Sequence, residues 1–141
     1  IHTGLSQTTE KINQRLEKAF KNPYVQIISH PTGRLINKRD ATQGDLALLF
    51  KYAQQTTTAL EINAQPERLD LKDIDARQAN EKYQIKLVIS TDSHDPSSLN
   101  LMRLGVAQAR RAWLSNKDIL NTYNKGQLLE ILQKKRERFT I

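Results

Sequence analysis

Short apolar runs and amphipathic segments alternate along this chain, and each run is followed by polar residues. Three runs have the β-branched composition of buried strands: residues 24–29, 58–62 and 86–90. The segments that precede them place apolar residues at helical spacing: residues 8–20, 45–53 and 73–83. Strands separated by helices of this length pair in parallel through right-handed crossovers. The sequence therefore predicts an α/β fold in which parallel strands alternate with helices that cover the sheet.

Two further helices are predicted after the last strand. Pro96 and Ser97 open the first of them, one face of which carries Leu99, Met102 and Val106. The second, at residues 125–139, is expected to turn three leucines inward and to end in a basic cluster: Leu128, Leu129 and Leu132, then Lys134, Lys135, Arg136 and Arg138. Cations are favourable at a helix C-terminus, which explains the cluster without a ligand; contact with nucleic acid is the alternative.

Length and composition exclude several classes of protein. A chain of 141 residues is long enough for one domain with its own apolar core. It contains no Cys, which excludes thiolate catalysis, iron–sulfur clusters and disulfides. No apolar run approaches the roughly 20 residues of a membrane-spanning helix. We therefore expect a soluble, cytoplasmic protein with no membrane partner.

The charge balance favours an anionic partner. The chain carries 22 Lys and Arg against 15 Asp and Glu, a formal net charge of +7, and the basic residues recur along its whole length. Nucleic acid is the first candidate, since a positive protein gains affinity for it through phosphate contacts. The alternative is that the excess lies on a solvated surface and binds nothing.

All three histidines follow predicted strands. His30 and His94 come after the runs at 24–29 and 86–90, and His2 follows what reads as the end of another strand. Because ligands of α/β folds collect at the carboxyl ends of parallel strands, these side chains and Asp92 are expected to share one rim. Imidazole and carboxylate without thiolate favour Mn²⁺ or Zn²⁺. The alternative for any single His is a structural or solvated role.

The pair Asp92 and His94 is the more specific part of this pattern, since residues two apart in an extended segment point to the same side. Asp92 can instead cap the next helix, but Ser93 and Asp95 supply that cap equally well.

At the end of the middle strand, Glu61 needs a partner or a metal if it is buried. Asn63 can hydrogen-bond a carboxylate that binds the metal. We take Glu61 and Asn63 as residues that support the metal ligands.

Several motifs resemble one family when they are read in order. They are His2-Thr3-Gly4, HPTGR at 30–34, EINA at 61–64, TDSH at 91–94, MRLGVA at 102–107 and ARRAWL at 109–114. In this order and spacing they resemble the C-terminal half of a PHP (polymerase and histidinol phosphatase) domain, and most closely that of bacterial and archaeal family X DNA polymerases. The resemblance extends over nearly the whole chain.

The resemblance implies a distorted (β/α)7 barrel with a trinuclear Mn²⁺ or Zn²⁺ cluster at its C-terminal rim. It implies a phosphoesterase that acts on DNA 3′ ends as a 3′–5′ exonuclease in DNA repair, beside a polymerase portion that uses Mg²⁺. By position, His2, His30, Asp92 and His94 match metal ligands of the family. We assign catalytic roles to the last three, and phosphate binding to two arginines: Arg34 and Arg103.

The chain also departs from the family, since the opening HxH motif and other ligands are absent. We therefore expect a fragment of a longer multidomain chain that is inactive alone, and whose partners are DNA, the rest of the PHP domain and the polymerase domains. A partial barrel is expected to leave a sheet edge exposed, at which a homodimer can form. Two alternatives stay open: a free-standing phosphatase for a small phosphoester such as histidinol phosphate, and a catalytically silent module that binds DNA by charge.

Overall fold

The computed structural model describes residues 7–42 and 44–139, with side chains to residue 137. Three strands form one parallel sheet in the order β1-β2-β3: β1 (Ile27–Ile28), β2 (Ala59–Asn63) and β3 (Leu87–Ser90). The described residues also form five α-helices: α1 (Thr9–Lys21), α2 (Leu46–Thr56), α3 (Asp73–Tyr83), α4 (Met102–Arg111) and α5 (Lys125–Phe139). The predicted α/β alternation with parallel strands is confirmed.

The sheet buries one apolar face beneath the helices. The register places Leu60 beside Ile28 on one neighbour and beside Leu87 on the other, and all three side chains are fully buried. Consecutive helices contact each other, α1 with α2, α2 with α3 and α3 with α4, so they cover the same side of the sheet. The opposite face carries Glu61 and Asn63 at the carboxyl end of β2.

Local sequence explains where α2 begins. Asp45 caps the helix, because its side chain accepts hydrogen bonds from the backbone N–H groups of Ala47 and Leu48, at 2.9 and 3.1 Å. Strand β1, by contrast, has two residues and not the predicted six. The chain turns just before it, because Val25 donates its N–H to the carbonyl of Asn22 and the Gln26 amide donates to the carbonyl of Pro23.

The apolar residues that mark one face of the helical stretch after Pro96 in the sequence are not the residues that α4 buries. Leu99, Met102 and Val106 are 61%, 37% and 36% exposed. The face turned to the sheet carries three other residues: Gly105, Gln108 and Ala109. Small residues at two of these positions allow the helix to approach the sheet closely, so close approach and not apolar spacing decides the orientation.

The prediction for α5 is wrong in two places. Leu129 is 53% exposed. Leu128 and Leu132 line a cavity of about 520 Å³ on the Glu61 face of the sheet, opposite helices α1 to α4. Lys135 does not belong to a solvated basic cluster, because it is fully buried and its Nζ donates to the Val25 carbonyl and the Thr58 hydroxyl. Burial lowers the pKa of Lys135 to about 8.

The outer edge of β3 is covered, so the exposed sheet edge that the sequence predicts does not lie on this strand. Leu87 forms a parallel bridge with Ile119, and the Asn121 side chain binds both backbone groups of Ile89. Its Oδ1 accepts from the Ile89 N–H at 2.8 Å, and its Nδ2 donates to the Ile89 carbonyl at 2.9 Å. An amide side chain therefore takes the place of a neighbouring strand, and the expected homodimer has no free backbone at these positions.

Within the described residues, no helix is both long and apolar enough to cross a bilayer.

The contact between α4 and the sheet yields a stability prediction. A Cβ atom at Gly105 would lie 2.4 Å from Ile89 Cγ2 and 3.1 Å from Ala64 Cβ. We expect Gly105→Ala to lower the free energy of unfolding by about 1–2 kcal/mol, since overpacking outweighs the gain of about 1 kcal/mol in helix propensity. Urea unfolding at 25 °C measures the change.

Gly126→Ala is the matched control. Among the described residues, a Cβ there would meet only Asn124 Oδ1, at 3.4 Å, so this variant should be as stable as the parent or more stable. Equal stability of Gly105→Ala and the parent would contradict the close packing of α4.

Candidate active site at the carboxyl ends of the strands

Glu61 lies at the centre of the site, in the middle strand. Its side chain is buried, and its carboxylate accepts hydrogen bonds from the His30 backbone N–H and the Ser90 hydroxyl. Asn63 Nδ2 lies 3.4 Å from Glu61 Oε2. These donors compensate the burial of a carboxylate, which is otherwise costly. Glu61 thus joins the ends of all three strands.

Asn63 connects this carboxylate to the loop after β3. It is fully buried, and its Nδ2 donates to Asp92 Oδ2 at 3.2 Å. Its Oδ1 accepts from the backbone N–H of Gln65 at 3.0 Å, which fixes the orientation of the amide. The structure therefore shows the hydrogen bond from Asn63 to a candidate metal ligand that the sequence led us to expect.

The backbone is strained at two of the predicted site residues. His30 has φ 27° and Asp92 has φ 50°, in a region that residues with a Cβ rarely adopt. Such conformations cost on the order of 1 kcal/mol and persist where the surrounding contacts impose them. They occur where β1 and β3 end, so the two side chains are placed by the turn that follows each strand.

His94 is held in one tautomer by its own loop. Its Nδ1 lies 2.8 Å from the carbonyl oxygen of Asp92, and a carbonyl can only accept, so Nδ1 carries the proton when the ring is neutral. The lone pair is then on Nε2, which suits a metal ligand or a general base. The side chain is exposed and borders a cavity.

Asp95 caps the helical segment that follows. Its carboxylate accepts from the hydroxyl groups and the backbone N–H groups of Ser97 and Ser98, and these bonds lower its pKa to about 2. The prediction that Asp95 can supply this cap is confirmed. Ser93 takes no part in it and bonds to the Thr91 hydroxyl. Asp92 is thereby left available to the site.

The loop after β1 is tied to the loop after β2 by a buried carboxylate and an arginine. Asp70 accepts from the N–H and hydroxyl of Thr32 and from the N–H of Gly33, at 2.8–3.3 Å. Arg34 donates Nε to the carbonyl of Arg68 at 2.8 Å and Nη2 to that of Leu69 at 2.5 Å. Two nitrogens of Arg34 therefore fix the loop, and its contact with phosphate stays a prediction.

A polar cavity of about 330 Å³ lies beside these groups. Its walls include Gln65, Glu67, Arg68, Asp92, His94 and Asp95. Arg68 faces it with Nε 3.7 Å from Asp92 Oδ2, and its buried Nη1 has no hydrogen-bond partner among the described residues. The sequence interpretation missed Arg68, although its position in the loop directly after EINA was the available signal. Arg103 is exposed on α4 and is not among the described residues that line the cavity.

The predicted metal ligands are only partly brought together. Asp92 and His94 are neighbours in one loop, and His30 follows the other outer strand, tied through its backbone to Glu61. Within residues 7–42 and 44–139, no three His, Asp, Glu or Cys side chains form a group that can hold an ion. His2 lies outside the described residues. The donors have the right chemistry for Mn²⁺ or Zn²⁺, and further ligands are needed to complete a site.

Sequence comparison relates the chain to a DNA-acting enzyme. Over 121 residues it is 45% identical to the DNA polymerase/3′-5′ exonuclease PolX of Bacillus subtilis (strain 168). The match covers 86% of this chain and 21% of the relative, so the chain spans about a fifth of that enzyme's length. No protein-family model matches the chain. The identity supports the predicted relationship to such polymerases, and the PHP assignment stays a prediction.

The buried Asp70 yields a prediction for stability against pH. Burial raises its pKa from 3.8 to about 6, despite the hydrogen bonds from Thr32 and Gly33. Between these values the folded state keeps a proton that the unfolded state loses, so the free energy of unfolding should fall as pH rises from about 4 to about 6. The fall should be on the order of 3 kcal/mol.

Asp70→Asn removes this titrating group. Urea unfolding of the parent and the variant at pH 4, 5, 6 and 7 should show that the parent loses more stability over this range. An equal loss in the two proteins would show that Asp70 does not titrate in this way.

Proposed function

We propose that this chain is the C-terminal part of a PHP domain in a longer multidomain protein. It contributes to a metal-dependent phosphoesterase that removes nucleotides from DNA 3′ ends, a 3′–5′ exonuclease joined to a DNA polymerase and used in DNA repair. The observation that carries this proposal is the 45% identity to an enzyme named for both activities. The hydrogen-bonded groups at the strand ends are consistent with it.

The arrangement of the sheet suits a segment of a (β/α)7 barrel. Helices α1, α2, α3 and α4 cover one face, and the other face, towards which Leu128 and Leu132 of α5 are turned, carries Glu61 and Asn63, both buried. Buried polar side chains at the carboxyl ends of parallel strands are typical of barrels with a site at that rim. In this proposal, other parts of the parent chain complete the barrel and supply the remaining metal ligands.

The proposed cofactor is Mn²⁺ or Zn²⁺, held by His2, His30, Asp92 and His94 together with ligands from the parent chain; the polymerase portion would use Mg²⁺. Bound ions would supply a water of lowered pKa and positive charge beside the phosphoryl group. The described residues prepare this site. Asn63 holds the Asp92 carboxylate, and the Asp92 carbonyl fixes the tautomer that leaves His94 Nε2 with its lone pair.

Arg68 is the proposed phosphate contact. Its guanidinium lines the cavity beside Asp92, and Arg34 holds the backbone carbonyl of Arg68 and so fixes the position of the loop. A guanidinium matches the geometry of phosphate oxygens and stabilises the charge that develops on them. The net charge of +7 would add salt-dependent contacts with DNA that carry little sequence preference.

A second candidate function is a catalytically silent module that binds DNA by charge. It is favoured by the absence of a three-donor group among the described residues. In that case, loss of Asp92 or His94 would leave both DNA affinity and the activity of the parent protein unchanged.

A chimera tests the proposed function directly. In the Bacillus enzyme, the 121 matching residues are replaced by the corresponding residues of this chain, and release of 3′ nucleotides from a 5′-labelled oligonucleotide is measured with Mn²⁺. We expect the chimera to degrade the strand, Asp92→Asn to lower its rate by roughly a hundredfold or more, and the 141-residue chain alone to show no turnover.

Asp95→Asn is the matched control in the chimera, since it changes a carboxylate that borders the same cavity but is used as a helix cap. Its rate should stay close to that of the parent chimera. Full activity of Asp92→Asn would overturn the catalytic proposal and favour the silent module. Arg68→Gln should lower kcat/KM, whereas Arg110→Gln, on the exposed part of α4, should not.

A further inference from the structure

Gln65 extends the pairing between β2 and β3 beyond the ends of both strands. The backbone N–H of Ala64, the first residue after β2, donates to the Ser90 carbonyl at 2.7 Å. The Gln65 side chain continues this ladder, since its Nε2 lies 2.6 Å from the carbonyl oxygen of Thr91 and 3.3 Å from that of Asp92. Because an amide nitrogen carries two hydrogens, one side chain can donate to both carbonyls.

The side chain makes these contacts where the backbone cannot. The residue after Gln65 is Pro66, which has no N–H to donate. Gln65 is itself held in place, because its own N–H donates to Asn63 Oδ1 at 3.0 Å and its carbonyl accepts from the Arg68 N–H at 2.8 Å. Asn63 also donates to Asp92 Oδ2, so one short segment contacts Asp92 at both its carboxylate and its backbone carbonyl.

The carbonyl of Asp92 is the acceptor that selects the tautomer of His94. His94 Nδ1 lies 2.8 Å from it, and Gln65 Nε2 is a second donor to it. Asp92 has φ 50°, which costs free energy for a residue with a Cβ, so contacts with its neighbours must hold it there. Gln65 supplies two of these contacts, one at each peptide group that flanks the Asp92 Cα. Gln65 and His94 both line the polar cavity.

We propose that Gln65 is a positioning residue of the candidate site. It fixes the two peptide groups around Asp92, and the Asp92 carbonyl in turn keeps the proton of a neutral His94 on Nδ1 and the lone pair on Nε2. This inference rests on the proposed function, in which that lone pair serves as a metal ligand or a general base. Without the Gln65 amide, the peptide group after Asp92 can rotate and the imidazole loses its fixed acceptor.

The tautomer of His94 measures this role without metal or DNA. Long-range proton–nitrogen NMR spectra of the 141-residue chain, at about pH 9 and with EDTA, report which nitrogen of a neutral imidazole carries the proton, and His94→Gln identifies the signal. We expect Nδ1–H in the parent. Gln65→Met keeps the size of the side chain and removes its donor, so the ratio of Nδ1–H to Nε2–H should fall about fivefold, as for the loss of one hydrogen bond.

Further variants separate this role from a merely structural one. Gln65→Lys restores a donor and should keep the ratio near that of the parent. Gln108→Met removes another buried glutamine amide, which donates to the Leu71 carbonyl at 3.4 Å, and should lower stability in urea while the tautomer stays the same. Gln65→Glu replaces the donor by an acceptor of the same size and carries the same expectation where Gln65→Met does not fold. An unchanged ratio in Gln65→Met, or an equal fall in Gln108→Met, would overturn the role of Gln65.

The chimera tests the same variant in the reaction. Gln65→Met should lower kcat about tenfold and change KM little, because Gln65 acts through His94 and not through the proposed phosphate contact at Arg68. A fall in the tautomer ratio without a fall in kcat would overturn the positioning role. An inactive parent chimera would instead contradict the proposed function, whereas the tautomer ratio tests the contact made by Gln65 independently.

Discussion

The buried carboxylate of Glu61 is the interaction on which the rest of the site depends. It accepts hydrogen bonds from the backbone of His30 at the end of β1 and from the hydroxyl of Ser90 at the end of β3. A carboxylate in this position is tolerated only while those donors remain, because an uncompensated buried charge costs several kcal/mol. The three strand ends are thereby held together at the level where the candidate site lies.

From this centre, polar contacts extend outward to the surface of the cavity. Asn63 carries the network to Asp92, and the Asp92 carbonyl orients His94. On the other side, Asp70 and Arg34 join the loops after β1 and β2 and so place Arg68 at the cavity. The side chains of the candidate site are thus held by hydrogen bonds from neighbouring residues, which is the usual way of preorganising a site.

Sequence patterns predict the features that depend on contacts between nearby residues. They do not predict the features that depend on packing between segments far apart in the chain. The Asp45 cap and the alternation of helices with strands follow from residues a few positions apart. The same reasoning fails for α4, where the close approach of Gly105 to Ile89 turns the apolar positions outward. Arg34 bonds to carbonyls 34 and 35 residues away, and Lys135 to a carbonyl 110 residues away, so no local pattern predicts their partners.

Uptake of Mn²⁺ tests most directly whether the strand ends form a metal-dependent site. Electron paramagnetic resonance of free Mn²⁺ in the presence of the chimera reports how much metal is bound. We predict that the chimera binds Mn²⁺, that Asp92→Asn and His94→Ala each bind at least tenfold more weakly, and that Asp95→Asn binds like the parent. Equal uptake by the parent and the Asp92 variant, or no uptake by any of them, would contradict the account.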